Sequence, residues 1–315
     1  MKDLPEVFIE RLKEIIPAAA FDRALRSFSE KKPVSVRVNT LKTDREKILA
    51  LFREREVAAV PVDWYADAFV LGPGAIDKIS DLIEEGRIYQ QGLASMVPAL
   101  ILGPKPGERV LDLCAAPGSK SSQIAALMGN EGPLVCVEAI KDRFYRLRSV
   151  LQKLGVTNAE LKIMDGRKFR IRPEKDKEEE SGMFDRVLVD APCSSEGRFQ
   201  LLNKKTTAYW SLRKIRDMVQ KQRGLILNAA RCLKPGGVLV YSTCTFAPEE
   251  NEGVIGWVLK KGQLKIVPAG PLPVETYPAV PSWKEKIFFE DVDRCLRILP
   301  TEKMDGFFIA KLVRI

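Results

Sequence analysis

The chain has 315 residues, 45% hydrophobic and 30% charged, an ordinary soluble globular composition with length for two domains and a large core. No apolar run approaches a membrane span, Met1–Pro5 does not open a signal peptide, and the six cysteines stand singly without C-x-x-C spacing, so a reducing cytoplasmic location is expected. The formal net charge of +9 favours a polyanionic partner, no basic amphipathic segment points to a membrane, and the absence of histidine removes the commonest metal ligand and the commonest activator of a nucleophile; no metal is expected.

Apolar spacing predicts a helix over residues 5–16, with Pro5 in its first turn, and a short second helix over 20–28. Val34–Asn39 alternates like a half-buried strand. Thr43-Asp44-Arg45-Glu46 reads as a capping box opening a helix to about residue 55, and short strands follow near 57–62 and 67–71. Gly72-Pro73-Gly74 ends this part, so residues 1–75 are expected to form a small α+β module and 76–315 a second domain.

From Gly107 the pattern changes. Arg109–Leu113, Leu134–Glu138, Ala159–Met164, Asp185–Asp190 and Val238–Ser242 read as short strands, with helices near 119–128, 141–154 and 211–233. Strands alternating with helices predict an α/β fold with a doubly wound, Rossmann-like parallel sheet. Residues 170–181 read as a charged, solvated loop. Cys295–Leu299 and Phe307–Leu312 read as a closing antiparallel pair, with no further RNA-binding domain expected after them.

Such sheets bind ligands beyond the carboxyl ends of their strands. There Cys114-Ala115-Ala116-Pro117-Gly118-Ser119-Lys120 joins the first strand to a helix whose free N–H groups face a ligand. The loop lacks G-x-G-x-x-G, which argues against a nicotinamide dinucleotide. Glu138 and Asp165 end the next two strands, where acids grip a ribose and an adenine amino group. Acids at successive strand ends after one glycine turn fit S-adenosylmethionine (S-adenosyl-L-methionine), whose cationic groups favour acidic walls. The competing reading makes Glu138 and Asp165 caps of the segments after them. Lys120, in a first helical turn where a cation is disfavoured, is expected to face the substrate.

Cys193 and Cys244 each follow an apolar strand, in Asp190-Ala191-Pro192-Cys193 and Tyr241-Ser242-Thr243-Cys244. Paired thiols without histidine suit covalent chemistry on a pyrimidine. A thiolate adding to C6 of cytosine makes C5 nucleophilic toward a methyl sulfonium, and the second thiol is a candidate for the release step. Which cysteine attacks stays open at this point. An Asp190 kept protonated by burial is expected to serve N3 of the ring. Cys114, Cys136, Cys232 and Cys295 read as core residues. Residues 198–223 carry Arg198, Lys204, Lys205, Arg213, Lys214, Arg216, Lys221 and Arg223 against Asp217 alone, a strip suited to phosphates; Tyr209 is a stacking candidate and Trp210 a core one.

These segments, with Arg37–Lys42, Lys234–Gly237, Pro248–Glu252 and Gly306–Leu312, resemble the RNA 5-methylcytosine methyltransferases of the Sun/Fmu (RsmB-like) class. The resemblance implies Cys244 as nucleophile and Cys193 in release, with Asp190 and Lys120 in the active centre. It further implies that the 114–120 loop, Glu138, Arg143, Asp165 and Asp190 surround S-adenosylmethionine, and that the N-terminal module is RNA-recognition-like. Gly92 after Gln91, Ser121 after Lys120, and Leu202–Thr206 depart from the family pattern. The expected substrate is rRNA or tRNA and the expected state a monomer. Methylation of an amine or oxygen, and a non-catalytic RNA-binding or assembly factor, are the rival readings.

Overall fold

The computed structural model describes residues 4–171, 183–270 and 274–315, so the expected charged loop lies, after Ile171, outside the described residues. Helices α1 (Glu6–Ile15) and α2 (Ala18–Ser27) start after Pro5 and Pro17, whose fixed φ suits a helix start. Their apolar faces do not meet the strands next in sequence. Phe8, Leu12, Ala24 and Phe28 pack with Phe199, Phe246, Tyr277 and Trp283 from the far end of the chain.

The N-terminal sheet holds β1 (Ser35–Val38), β2 (Ala59–Val62), β3 (Tyr65–Leu71) and β4 (Ile88–Gln90) in the order β2-β3-β1-β4, all antiparallel. Between them lie α3 (Arg45–Glu54) and two one-turn helices, α4 (Ala75–Lys78) and α5 (Ser80–Glu84). Three expectations are corrected here. The cap of α3 is Asp44, which accepts from Lys47 N at 2.8 Å; Thr43 is still inside the preceding turn, its N–H bonded to Asn39 O. β1 is not half-buried: all four residues are buried, because α3 covers one face and the second domain the other. Finally, β4 pairs with β1 (Val36 opposite Gln90), so a division at residue 75 would cut the sheet from its fourth strand.

The second sheet comprises β5 (Val110–Asp112), β6 (Leu134–Glu138), β7 (Ala159–Ile163), β8 (Phe184–Asp190), β9 (Leu233–Thr243), β10 (Leu264–Val267), β11 (Thr276–Tyr277), β14 (Leu296–Ile298) and β15 (Phe307–Arg314). The small hairpin β12 (Ser282–Trp283) and β13 (Lys286–Ile287) stands apart from it. Helices α6 (Leu93–Leu102), α7 (Ser119–Leu127), α8 (Lys141–Lys153), α9 (Leu212–Cys232) and α10 (Glu252–Leu259) complete the chain. The order is β11-β14-β15-β9-β8-β5-β6-β7, with β10 added to β15. β7 through β9 run parallel and β15 lies antiparallel between β9 and β14, which is the expected Rossmann-like arrangement with its antiparallel closing pair. The strand order reverses between β5 and β8. That switch point opens a crevice at the carboxyl ends of the strands. Among the described residues, no helix is long and apolar enough to cross a membrane.

Candidate active site

β8 and β9 are parallel neighbours with Asp190 opposite Ser242, so the two segments leaving them run side by side. This register brings Cys193 Sγ to 3.4 Å from Cys244 Sγ. Ser195 Oγ lies 3.9 Å from the first sulfur and 3.7 Å from the second. Gly197 N donates to Cys244 O at 2.9 Å, tying the two loops together. Only glycine fits there, because a Cβ would stand 2.2 Å from Gly306 O.

The segment Glu249–Glu252, quoted above only for the resemblance, clamps this junction residue by residue. Glu249 binds Arg11 and accepts from Trp283 Nε1. Glu250 accepts from Ser194 N at 3.0 Å and from Gln222 Nε2 at 2.7 Å. Asn251 accepts from Thr243 Oγ1 and donates to Thr245 O. Glu252 forms a two-pronged bridge with Arg297 at 2.6 Å, both side chains fully buried. Burial pushes the Glu250 carboxyl up to about 8, against the pull of its hydrogen bonds. Glu196 plays a similar part, accepting from Thr245 Oγ1 and Trp210 Nε1, with burial raising its pKa.

The thiols are not equivalent. The hydrogen bond between them holds Cys244 below the ordinary thiol value; burial opposes this and the Arg198 charge reinforces it. The same bond, with burial, holds Cys193 well above it. The pair therefore favours ionisation at Cys244 over Cys193, a thiolate being the reactive form. Cys136, Cys232 and Cys295 are buried as expected, whereas Cys114 is half-exposed and lines the cavity. It leaves the core pattern because the chain turns out of β5 at Asp112, whose carboxyl accepts from Cys114 N and Ser121 Oγ. Burial lifts that carboxyl to about 6.

Asp190 is less buried than expected. Its side chain is 29% exposed, its Oδ2 is bound by Lys120 Nζ at 2.7 Å and its Oδ1 accepts from Ser242 Oγ at 2.8 Å. Lys120 also donates to Ser95 Oγ at 2.9 Å and lies over the Phe307 ring. Ser95 and Phe307 were missed from sequence because each reaches the site through tertiary packing alone.

One cavity of about 760 Å³ joins these groups to the 114–120 loop, Glu138, Arg143, Asp165 and Asp190. The first turn of α7 offers amide N–H groups without intrahelical partners, and Gly118 adopts φ +108°, closed to side chains by Val150 and Leu147. Glu138 accepts from Ile140 N and faces Arg143 Nη1 at 3.4 Å, while Arg143 Nη2 donates to Ala116 O and braces the loop. Asp165 caps a short turn through Arg167 N, and the Arg167 hydrogen bonds hold its carboxyl below the usual range. Asp165 is therefore both a cap and a cavity wall, whereas Glu138 lines the cavity without capping α8. Of the basic strip, Arg198, Lys214 and Lys221 line the cavity. Tyr209 is 86% exposed, and Trp210 is half-buried against the α1 cluster.

A doubly wound sheet with a glycine-turn loop and acids at successive strand ends defines a Rossmann-like methyltransferase. The chain belongs to the 16S rRNA methyltransferase RsmB/F family, whose model matches residues 99–313; a second model, the N-terminal domain of 16S rRNA methyltransferase RsmF, matches residues 4–92. It is 38% identical to the tRNA (cytosine(49)-C(5))-methyltransferase of Pyrococcus abyssi over 88% of this chain and 87% of that one. It is 36% identical to ribosomal RNA small subunit methyltransferase F of Vibrio vulnificus over 98% of this chain, but spans only 64% of that protein. The crystal structure of PH0851 superposes with a TM-score of 0.83 at 34% identity, over 98% of this chain and 66% of that one.

Proposed function

We propose that this chain transfers a methyl group from S-adenosylmethionine to C5 of a cytosine in RNA, with Cys244 as the nucleophile. The observation that carries the reading is the thiol pair at 3.4 Å sharing one cavity with the Lys120–Asp190 ion pair. The cavity falls in the size range of ligand sites. Its acids, Glu138 and Asp165, and the α7 amides suit the hydroxyls and cationic groups of the cofactor, which supplies an electrophilic methyl when bound. Residues 114–120, Glu138, Arg143 and Asp165 would hold it.

Cys244 Sγ adds to C6, and the C5=C6 π pair moves onto C5 and the ring. Asp190 accepts the exocyclic N–H of the base, and the Lys120 ammonium balances charge building at N3. Once Cys244 is a thioether, Cys193 no longer has an ionisable thiol beside it. Cys193 can then lose its proton to solvent, and its thiolate takes the proton from C5; that C–H pair re-forms C5=C6 and expels Cys244 as thiolate. The base must leave its stack for C6 to be reached. Tyr89, Gln90 and Gln91 bring the N-terminal module to the same cavity, which supports a role for that module in holding RNA.

The relatives act on tRNA and on rRNA by name, so both are tested. The purified chain is incubated with each RNA and S-adenosylmethionine, and the methyl is located by mass spectrometry of the nucleosides. Cys244→Ala loses methylation, whereas Cys193→Ala accumulates a protein–RNA adduct that resists denaturation. Methylation surviving in Cys244→Ala overturns the assignment. Bisulfite sequencing of total RNA with and without the protein then identifies the modified cytosine.

A further inference from the structure

A second groove of about 620 Å³ lies on the other side of α9, between that helix, α10 and the β12–β13 hairpin. Helix α9 divides its surface cleanly. Lys214, Met218, Lys221 and Leu225 face the active-site cavity. Arg216, Val219, Gln220 and Arg223 face the groove. Lys214 and Arg216, like Lys221 and Arg223, are two residues apart, about 200° around a helix. One helix, roughly 10 Å across, therefore carries cations on both flanks.

The groove is strongly basic. Arg216, Arg223, Lys260, Lys284 and Lys286 line it against Glu249, whose carboxylate is already held by Arg11. Among the described residues, none of these five cations is paired with a carboxylate, and Arg223 Nε is buried without a hydrogen-bond partner. Trp257 fixes two cations by ring contact, Arg223 at 5.3 Å and Lys261 at 5.0 Å. Lys284 and Glu285 adopt φ +47° and +64°, the tight two-residue turn of a hairpin, and only the lysine of that turn faces the groove. A concave surface with five uncompensated, partly preorganised cations suits a row of phosphates.

We propose that this groove is a second RNA site, which binds the phosphate backbone of a strand after it leaves the cavity and crosses α9. The proposal rests on the RNA reading above and names where the flanking nucleotides run. Its test compares Arg216→Gln, Lys284→Gln, Lys286→Gln combined, all exposed, with the same charge loss at Arg146, Arg148 and Lys153 on α8. Binding of a long single-stranded substrate is measured against salt, beside binding and methylation of a target trinucleotide. The groove variant lowers the slope of log affinity against log salt by about 2, at about 0.7 per phosphate contact. It leaves the trinucleotide unchanged, and the α8 variant leaves both unchanged. An unaltered slope, an equal fall in the α8 variant, or an equal loss on the trinucleotide overturns the groove. Wild-type protein that binds the long RNA with the expected slope but methylates nothing would sink the activity and leave the groove standing.

Discussion

Replacing Cys193 by alanine removes the hydrogen-bond partner that lowers the Cys244 thiol. A hydrogen bond to a charged group contributes about 1.5–3 kcal/mol, and one pKa unit corresponds to about 1.4 kcal/mol. The Cys244 titration midpoint should therefore rise by about one to two units, toward the lower figure if water enters the vacated space. The sign follows from the direction of the shift: a thiol held low loses that hold, so at neutral pH less of it is ionised. Cys193→Ser keeps a donor and should stay near wild type. The assay is the rate of Cys244 alkylation by iodoacetamide as a function of pH, resolved by peptide mass spectrometry because Cys114 also lines the cavity. A midpoint that is unchanged or lower in Cys193→Ala refutes the shared-proton account. A Cys193→Ser midpoint shifted as far as alanine's means that cavity size, not the hydrogen bond, sets the titration.

Glu250 titrates near 8 in the fold against 4.5 as an ordinary carboxyl, so the unfolded chain binds fewer protons between those values and stability falls as pH rises across them. Glu250→Gln should flatten that fall, gaining on wild type by up to about 1.4 kcal/mol per pH unit in denaturant melts; parallel curves would contradict the burial argument. Arg297→Met leaves Glu252 buried without its cation and should cost about 3–5 kcal/mol, while Glu252→Gln with Arg297→Met recovers part of it. A loss below about 1 kcal/mol in the single variant would mean that the bridge contributes little. Gly118→Ala places a side chain at φ +108°, a strain of order 1–3 kcal/mol, and should weaken equilibrium binding of S-adenosylmethionine on the order of tenfold; unchanged affinity and melting temperature would show that the loop adapts.

The meeting of Cys193 and Cys244 was legible from the sequence because it depends on two local facts: both follow apolar strands, and parallel neighbours end on the same side of a sheet. Asp190 and Lys120 come to the same cavity for the same reason, but their mutual contact and that of Asp190 with Ser242 join different elements and have no local sequence signal. Helix α6 went unread because eight of its ten residues are buried, so it has no polar face to set a helical period, and Pro98 lies inside it. The apolar run Val238–Ser242 leaves out the first five residues of β9, because Leu233 to Gly237 looks like a turn; the strand runs through it, with an irregular register against Phe184. The partners of α1 and α2 were beyond reach of any window, being more than 150 residues away in sequence.

The same limit explains why a domain boundary drawn from the chain misleads. Arg37 on β1 is fully buried, and its Nη2 donates to Ser122 on α7, at 3.0 Å. Its Nε donates to Gln91, whose own amide reaches Ser95 O and Gln123. Ser95 Oγ in turn accepts from Lys120, which binds Asp190. A continuous set of hydrogen bonds thus runs from the N-terminal sheet to the ion pair beside the thiols. Burial depresses the Arg37 pKa, and Nη1 is left without a hydrogen-bond partner, a cost tolerable only where the remaining bonds fix something of use. Here they fix α6 against α7, and with them the lysine. The N-terminal sheet is therefore part of the scaffold of the active centre and not a module hung beside it.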